Sequence, residues 1–427
     1  MKMVEYPRLG ERLFVDQLDN GLQLFVLPKR EYNKTYATFT TKYGSIDGHF
    51  RVGDDEITVP DGIAHFLEHK MFEEEEGDVF FKFSRQGASA NAFTTFTRTS
   101  YLFSCTDQVK ENLMTLLDFV QSPYFTPESI EKEKGIIAQE IRMYDDDPGW
   151  RVYFGLLQGF YQQHPVRIDI AGTVESIARI DRPTLMRCYE TFYHPQNMMF
   201  FVVGNVDPEQ VKEWVEANQA GKDFSALPGI ERYYPEEPIS VARPLQEIHL
   251  PVGVPKLLFG WKDRPTFPRD SLDAKEVVTD LLLEVMFGTS SPWYEELYQK
   301  NWIDEDFGYS FEAEVGFAFS MVGGDTPKPH EVVERARQEV ARRREIGIRE
   351  EEFERVKRKK IGQFLRSLNS LEAIASQFTA HQMKGGDFFG ILRRLEESTL
   401  EQVNQRLQEY LLPEQMSAVM VLPPQQS

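Results

Sequence analysis

The sequence predicts an α+β protein made of two like domains, each an antiparallel sheet with helices packed on one face. Three observations carry that prediction. Short strand patterns are joined by short turns, helical patterns come in runs, and two segments of the first half recur in the same order in the second half. A chain of 427 residues is also too long for one ordinary core, so two domains near 200 residues each is the natural division.

The strand patterns come first. "GLQLFVLP" (21–28), "YATFTTKYG" (36–44) and "SYLFSC" (100–105) are rich in β-branched and aromatic residues and bounded by turn formers. The first echo pairs "TLMRCYETFYHPQNMMFFVVGNV" from Thr184 with "TLEQVNQRLQEYLLPEQMSAVMVLP" from Thr399. Each reads as an amphipathic helix, a proline, a methionine three residues later and an apolar strand, with Pro413 and Met416 answering Pro195 and Met198. The second echo pairs "TPESIEKEKGII" from Thr126 with "REEEFERVKRKKI" from Arg349, where Ile130, Glu131 and Lys134 answer Phe353, Glu354 and Lys357. Between the halves, a stretch rich in Pro, Gly and charge lacks a sustained period. The expected organisation is therefore a first domain over 1–220, a linker over 221–245 and a second domain over 246–427.

Composition narrows the function classes. A formal charge of −20 opposes binding to nucleic-acid phosphates and serves mainly solubility, with a secondary bias toward basic or neutral peptides. The N-terminal residues show no signal-peptide pattern, and no run approaches the roughly 18 apolar residues of a membrane span. Cys105 and Cys188, the only cysteines, lack metal-site spacing and a disulfide framework, so a reducing, cytoplasmic setting is expected.

The chemistry concentrates in "GIAHFLEHKMF" (62–72). On a helix, His65, Glu68 and His69 occupy positions i, i+3 and i+4 and share a face. By composition alone this triple arises on the order of 0.01 times per chain, so chance explains it poorly. Pro60 and Asp61 read as the helix start. Two neutral imidazoles suit zinc, and a neighbouring carboxylate can move a proton. A catalytic zinc needs a third protein ligand, which must come from elsewhere. The remaining histidines (His49, His164, His194, His249, His330 and His381) are scattered; "EEEEGD" and "YDDDP" read as solvated charge, and "MVGGD" and "MKGGD" lack the lysine and spacing of a phosphate loop.

Taken with "QGASANAFTTFTRTSYLFS" and "IEKEKGIIAQEIRMYDDDP", this motif resembles the M16 (pitrilysin-like, inverted-motif) zinc peptidases, in their short bacterial branch. The strong motifs cover 62–148, and weaker spacing extends over the whole chain. The resemblance implies a Zn2+-dependent endopeptidase whose glutamate ligand lies seventy to eighty residues after the second histidine. Glu140 falls there, seventy-one after His69. Glu133 is seven residues before Glu140, two helical turns, so both face one way and Glu133 would orient a ligand. Glu68 is then the general base of a metal-assisted hydrolysis without a covalent enzyme intermediate. The resemblance also makes "GASANAFTTF" an edge strand that takes the substrate as an added strand, with Asn91 and Ala92 in contact.

The second half carries no such motif: Gln363 and Val356 stand where Glu140 and Glu133 would be echoed. Fully active relatives carry there an arginine and, seven residues on, a tyrosine that hold the substrate carbonyl. In "EELYQKNWIDEDFGYSF" Tyr309 matches the tyrosine, but Tyr298 stands where the arginine is expected and the spacing is longer. That departure points to a heterodimer in which a sister chain without HxxEH supplies the missing group, with a homodimer as the alternative. The other functional class is a non-catalytic or accessory scaffold, which the family links to maturation of a translation factor.

Overall fold

The computed structural model describes residues 1–224, 226–264 and 272–424; Ser225 of the expected linker lies outside the described residues. The chain forms two compact units. The first comprises 1–141, 169–233 and 367–383, and the second 142–168, 234–366 and 384–427.

The first unit holds a seven-stranded sheet in the spatial order Lys2–Tyr6, Glu11–Gln17, Gln23–Pro28, Met198–Gly204, Thr35–Thr41, Thr99–Cys105, Ser89–Thr94. All neighbours are antiparallel except Gln23–Pro28 beside Met198–Gly204. The second unit holds five strands in the order Leu245–His249, Met416–Leu422, Lys256–Asp263, Phe317–Asp325, Gly308–Glu314, again with only the first pair parallel. Numbered by appearance within each half, the last five strands of the first sheet and the five of the second follow the same order, 1-5-2-4-3. The two halves therefore repeat one topology, an α+β unit with a mainly antiparallel sheet.

The first echo read from the sequence is a repeated structural unit. Helix Arg182–Phe192, a single 3-10 turn at Pro195–Asn197 and strand Met198–Gly204 match helix Leu400–Tyr410, a turn at Pro413–Gln415 and strand Met416–Leu422. Proline suits the first position of such a turn because its missing N–H has no partner to lose there.

Both central strands of the first sheet, Thr35–Thr41 and Met198–Gly204, are buried at every residue, so both sheet faces must be covered. Helix Val109–Val120 of the same half takes one face, where Phe119 meets Tyr101 edge-on at 5.6 Å. Helix Leu371–Met383, drawn from the second half of the chain, takes the other. Its Phe378 packs on Phe201 at 4.4 Å and Phe25 at 5.2 Å, and Thr379 hydrogen-bonds Thr38 at 3.2 Å. The second unit mirrors this arrangement. Its own helix Leu272–Phe287 stacks Phe287 on Trp261, while Pro148–Phe160, drawn from the first half, lies against Met416–Leu422 and Lys256–Asp263. A Cβ on Gly159 would stand 2.4 Å from Ser417 Oγ, so glycine is what lets that helix lie so close to its sheet.

Within 221–245, Ile230–Arg232 pairs with His49–Val52 in a three-stranded sheet completed by Asp55–Thr58, and the first strand of the second sheet begins at Leu245. No helix among the described residues is long and apolar enough to cross a membrane.

Candidate metal centre and active site

Helix Ile63–Met71 carries the HxxEH motif. Ile63, Ala64, Phe66, Leu67 and Met71 are buried and seat it in the first unit, leaving His65 and His69 half-buried. The helix does not start from Pro60 and Asp61 as the sequence suggests. Its N-cap is Gly62, with φ 88° and no side-chain cap. A Cβ there would lie 2.3 Å from the Ala171 carbonyl oxygen, so both the left-handed backbone and the close approach require glycine.

The second contributor is helix Pro127–Asp146. Its start is fixed by Thr126 and Ser129, whose hydroxyls each accept the other's backbone N–H (3.1 and 3.3 Å), and it is anchored by buried Ile130, Ile137, Ala138 and Ile141. That seam turns Glu133 and Glu140 toward the motif helix. His65 Nε2 lies 3.8 Å from Glu140 Oε1, and His69 Nε2 lies 3.7 Å from Glu140 Oε2. One donor atom from each of the three residues lies within 4.8 Å of the others. Zinc bonds of about 2.0–2.2 Å span donor atoms up to about 4.3 Å apart, so both contacts fit a shared ion.

The surroundings prepare these groups unequally. His69 Nδ1 sits 2.9 Å from Glu133 Oε1, which leaves Nε2 as the free nitrogen. Burial works against a charged His69, but the Glu133 hydrogen bond and the charges of Glu68, Glu133 and Glu140 outweigh it and raise the pKa. His65 behaves oppositely: burial, followed by the charge of His69, holds it neutral, as a metal ligand must be. Its Nδ1 meets no hydrogen-bond partner among the described residues. Glu68 is 9% exposed, and burial raises its pKa against the pull of a 2.6 Å hydrogen bond from the Thr94 hydroxyl.

Thr94 closes the strand Ser89–Thr94, which forms the edge of the sheet and, among the described residues, pairs only with Thr99–Cys105. Asn91 is exposed on this strand and its Oδ1 accepts the backbone N–H of Ala92 at 2.9 Å; Ala92 is half-buried. The structure thus gathers His65, Glu68, His69, Glu133 and Glu140, and places Asn91 and Ala92 on an edge strand that reaches Glu68. Tyr309 belongs to the second unit. Its hydroxyl donates to Glu284 Oε2 at 2.8 Å, with Asp280 Oδ1 at 3.2 Å, and the Lys360 ammonium sits 5.2 Å from its ring centre. The echo positions carry no ligand chemistry, since Val356 is buried and Gln363 exposed. Sequence reasoning missed Thr94. Its one signal was alternation: Ala90, Ala92 and Thr94 share a strand face, and Thr94 is the polar member.

Comparison with known proteins gives this geometry a family. The profile described as Insulinase (Peptidase family M16) matches residues 55–174, and that described as Peptidase M16 inactive domain matches 179–360. The chain is 51% identical to the uncharacterized zinc protease YmfH of Bacillus subtilis (strain 168) over 426 residues, 99% of either chain. It is 25% identical to the uncharacterized zinc protease YmxG of the same organism, over 80% of this chain and 84% of that one. A crystal structure described as an M16-like peptidase, from Alicyclobacillus acidocaldarius, matches with a TM-score of 0.95 at 42% identity, covering 99% of this chain and 100% of that chain. A protease from Helicobacter pylori shares the fold at 20% identity, with a TM-score of 0.82 over 97% of this chain and all of that one. A half bearing the HxxEH centre and a half without it, joined in one topology, place this chain in the M16 (insulinase) family of peptidases.

Proposed function

We propose that this chain is a zinc-dependent endopeptidase acting on extended peptides or processing segments. The observation that carries the reading is the convergence of His65 Nε2, His69 Nε2 and the Glu140 carboxylate beside a buried Glu68. Those three residues would hold the metal. Zinc bound there supplies Lewis acidity, acidifying water and polarising the scissile carbonyl. Glu68 takes the proton of the attacking water and returns it to the leaving amine, so no net charge accumulates on the protein. Glu133 fixes the His69 ring through Nδ1. Substrate adds to the edge of Ser89–Thr94, where Asn91 and Ala92 meet its main chain. For Tyr309 to hold a substrate carbonyl, its proton must leave Glu284.

The arginine expected before Tyr309 is replaced by Tyr298, which supports assembly with a sister chain of the family that supplies the charge; a homodimer is the alternative. Two buried, unpaired thiols support a cytoplasmic setting. A scaffold role, including service to maturation of a translation factor, needs no zinc and no Glu68.

The test is zinc analysis together with cleavage of a quenched fluorogenic peptide library by the wild type and Glu68→Gln. One zinc per chain in both, with cleavage lost about 1,000-fold or more in the variant, is expected. A wild type that cleaves only after a sister chain is added places the missing arginine on that chain. Equal hydrolysis by both proteins, or a chain that takes up no zinc, overturns the reading.

A further inference from the structure

We infer that Thr94 is a positioning residue that anchors one oxygen of Glu68 and leaves the other to carry the proton; this rests on Glu68 being the general base. The proton inventory of the neighbouring hydroxyls carries the inference. Thr99 is fully buried and donates its only hydroxyl proton to the Tyr43 carbonyl at 2.9 Å. At 3.3 Å from Thr94 Oγ1, Thr99 therefore has no proton left to offer. The Thr94 proton goes to Glu68 Oε2, at 2.6 Å, a distance typical of a hydroxyl donating to a charged carboxylate. A donor fixed on Oε2 occupies one of that oxygen's two lone pairs and lowers its basicity, so Oε1 is the better acceptor for a transferred proton. The proton taken from water then resides on Oε1, and the carboxylate neither flips nor rotates between accepting and releasing it.

The position of Thr94 adds a consequence. It is the last residue of the edge strand proposed to take the substrate, and it pairs directly with Thr99. The strand that receives the peptide and the hydroxyl that sets the base are thus one element, so a peptide seated on Ser89–Thr94 is registered against the carboxylate that activates the attacking water.

Three variants test this. Thr94→Val keeps the shape and the backbone N–H that also serves Glu68 but removes the hydroxyl donor, Thr94→Ser keeps that hydroxyl, and Glu68→Gln tests the underlying base assignment separately. In crystals of the zinc-loaded chain, Glu68 is expected in one orientation in the wild type and Thr94→Ser, and in two or more in Thr94→Val. On the peptide library, Thr94→Val is expected to lose about 10- to 100-fold in kcat with KM changed less than about threefold, and Thr94→Ser to recover most of it. Zinc content should be unchanged throughout, because among the described residues the Thr94 hydroxyl bonds Glu68 and Thr99 and none of the proposed metal ligands. A Thr94→Val crystal with Glu68 in its single wild-type orientation overturns the inference, and so does an unchanged kcat. If the isolated chain turns over no peptide, the crystallographic comparison decides. Hydrolysis surviving in Glu68→Gln instead removes the base reading and leaves the observed anchoring of Glu68 standing as a structural contact.

Discussion

Glu133 shows how much one residue outside the proposed ligand set can contribute. Its carboxylate accepts from His69 Nδ1 at 2.9 Å, whereas His65 Nδ1 has no such partner among the described residues. The orientation of the His69 ring thus rests on the Glu133 carboxylate, while its basicity draws on Glu68 and Glu140 as well. Glu133→Ala is expected to weaken zinc binding about 10- to 100-fold, and Glu133→Gln, which keeps an acceptor but loses the charge, by less. Competition against a fluorescent chelator separates them, and equal affinity in all three proteins would remove Glu133 from the centre. At this scale the sequence was unevenly informative. His65, Glu68 and His69 are legible because helical spacing alone puts them on one face. Glu140 needed the family spacing, since a glutamate on a solvated face looks the same in so acidic a chain. Beyond its place in the strand alternation, Thr94 gave no sign, because its partner lies across a strand-to-helix contact that no local period encodes.

At the level of elements, the exchange of one helix between halves has a direct energetic test. Pro148–Phe160 lies on the second sheet through Gly155 and Gly159, where added Cβ atoms would meet Val419 Cγ1 at 3.0 Å and Ser417 Oγ at 2.4 Å. Ser417 Oγ also donates to the Arg243 carbonyl at 2.6 Å, so it cannot withdraw without losing that bond. Gly159→Ala is expected to destabilise by about 1–3 kcal/mol, and Gly155→Ala by less, measured as a shift of the urea midpoint. Alanine favours a helix interior over glycine by roughly 0.5–1 kcal/mol, so a stabilised Gly159→Ala would overturn the requirement for glycine at this approach. The sequence revealed the repeated helix–proline–strand unit because the order and spacing survive in both halves. It did not reveal the exchange. The amphipathic patterns of Pro148–Phe160 and Leu371–Met383 say that each helix buries a face, and a hydrophobic stripe does not name the sheet that receives it.

For the molecule as a whole, acid stability is set by groups whose protonation differs between folded and unfolded chains. His164 is 2% exposed, ringed by Tyr161, Tyr234 and Phe317, and its Nδ1 accepts the Val166 N–H at 3.2 Å, so the fold requires the neutral ring. Burial pushes its pKa down to about 4, below the ordinary value near 6.5. The unfolded chain therefore binds this proton first as pH falls. No penalty exists above the unfolded pKa; it grows from about pH 6.5 to pH 4 and reaches roughly 3 kcal/mol below that window. Glu352, between Arg343 and Arg349, acts lower on the scale. Its pKa is depressed, chiefly by the hydrogen bond from Arg343, so its stabilisation is full above the unfolded carboxylate value, declines progressively below it and is gone once pH has fallen through the depressed one. The two windows meet near pH 4, and His164→Asn isolates the upper one, because the asparagine oxygen can take over the Val166 N–H without titrating. The variant is expected to lose stability at pH 7.5 through reduced ring packing, yet to show a flatter decline between pH 6.5 and 4, by about 3 kcal/mol in urea unfolding free energy. A wild-type slope retained by the variant would place the titrating group elsewhere.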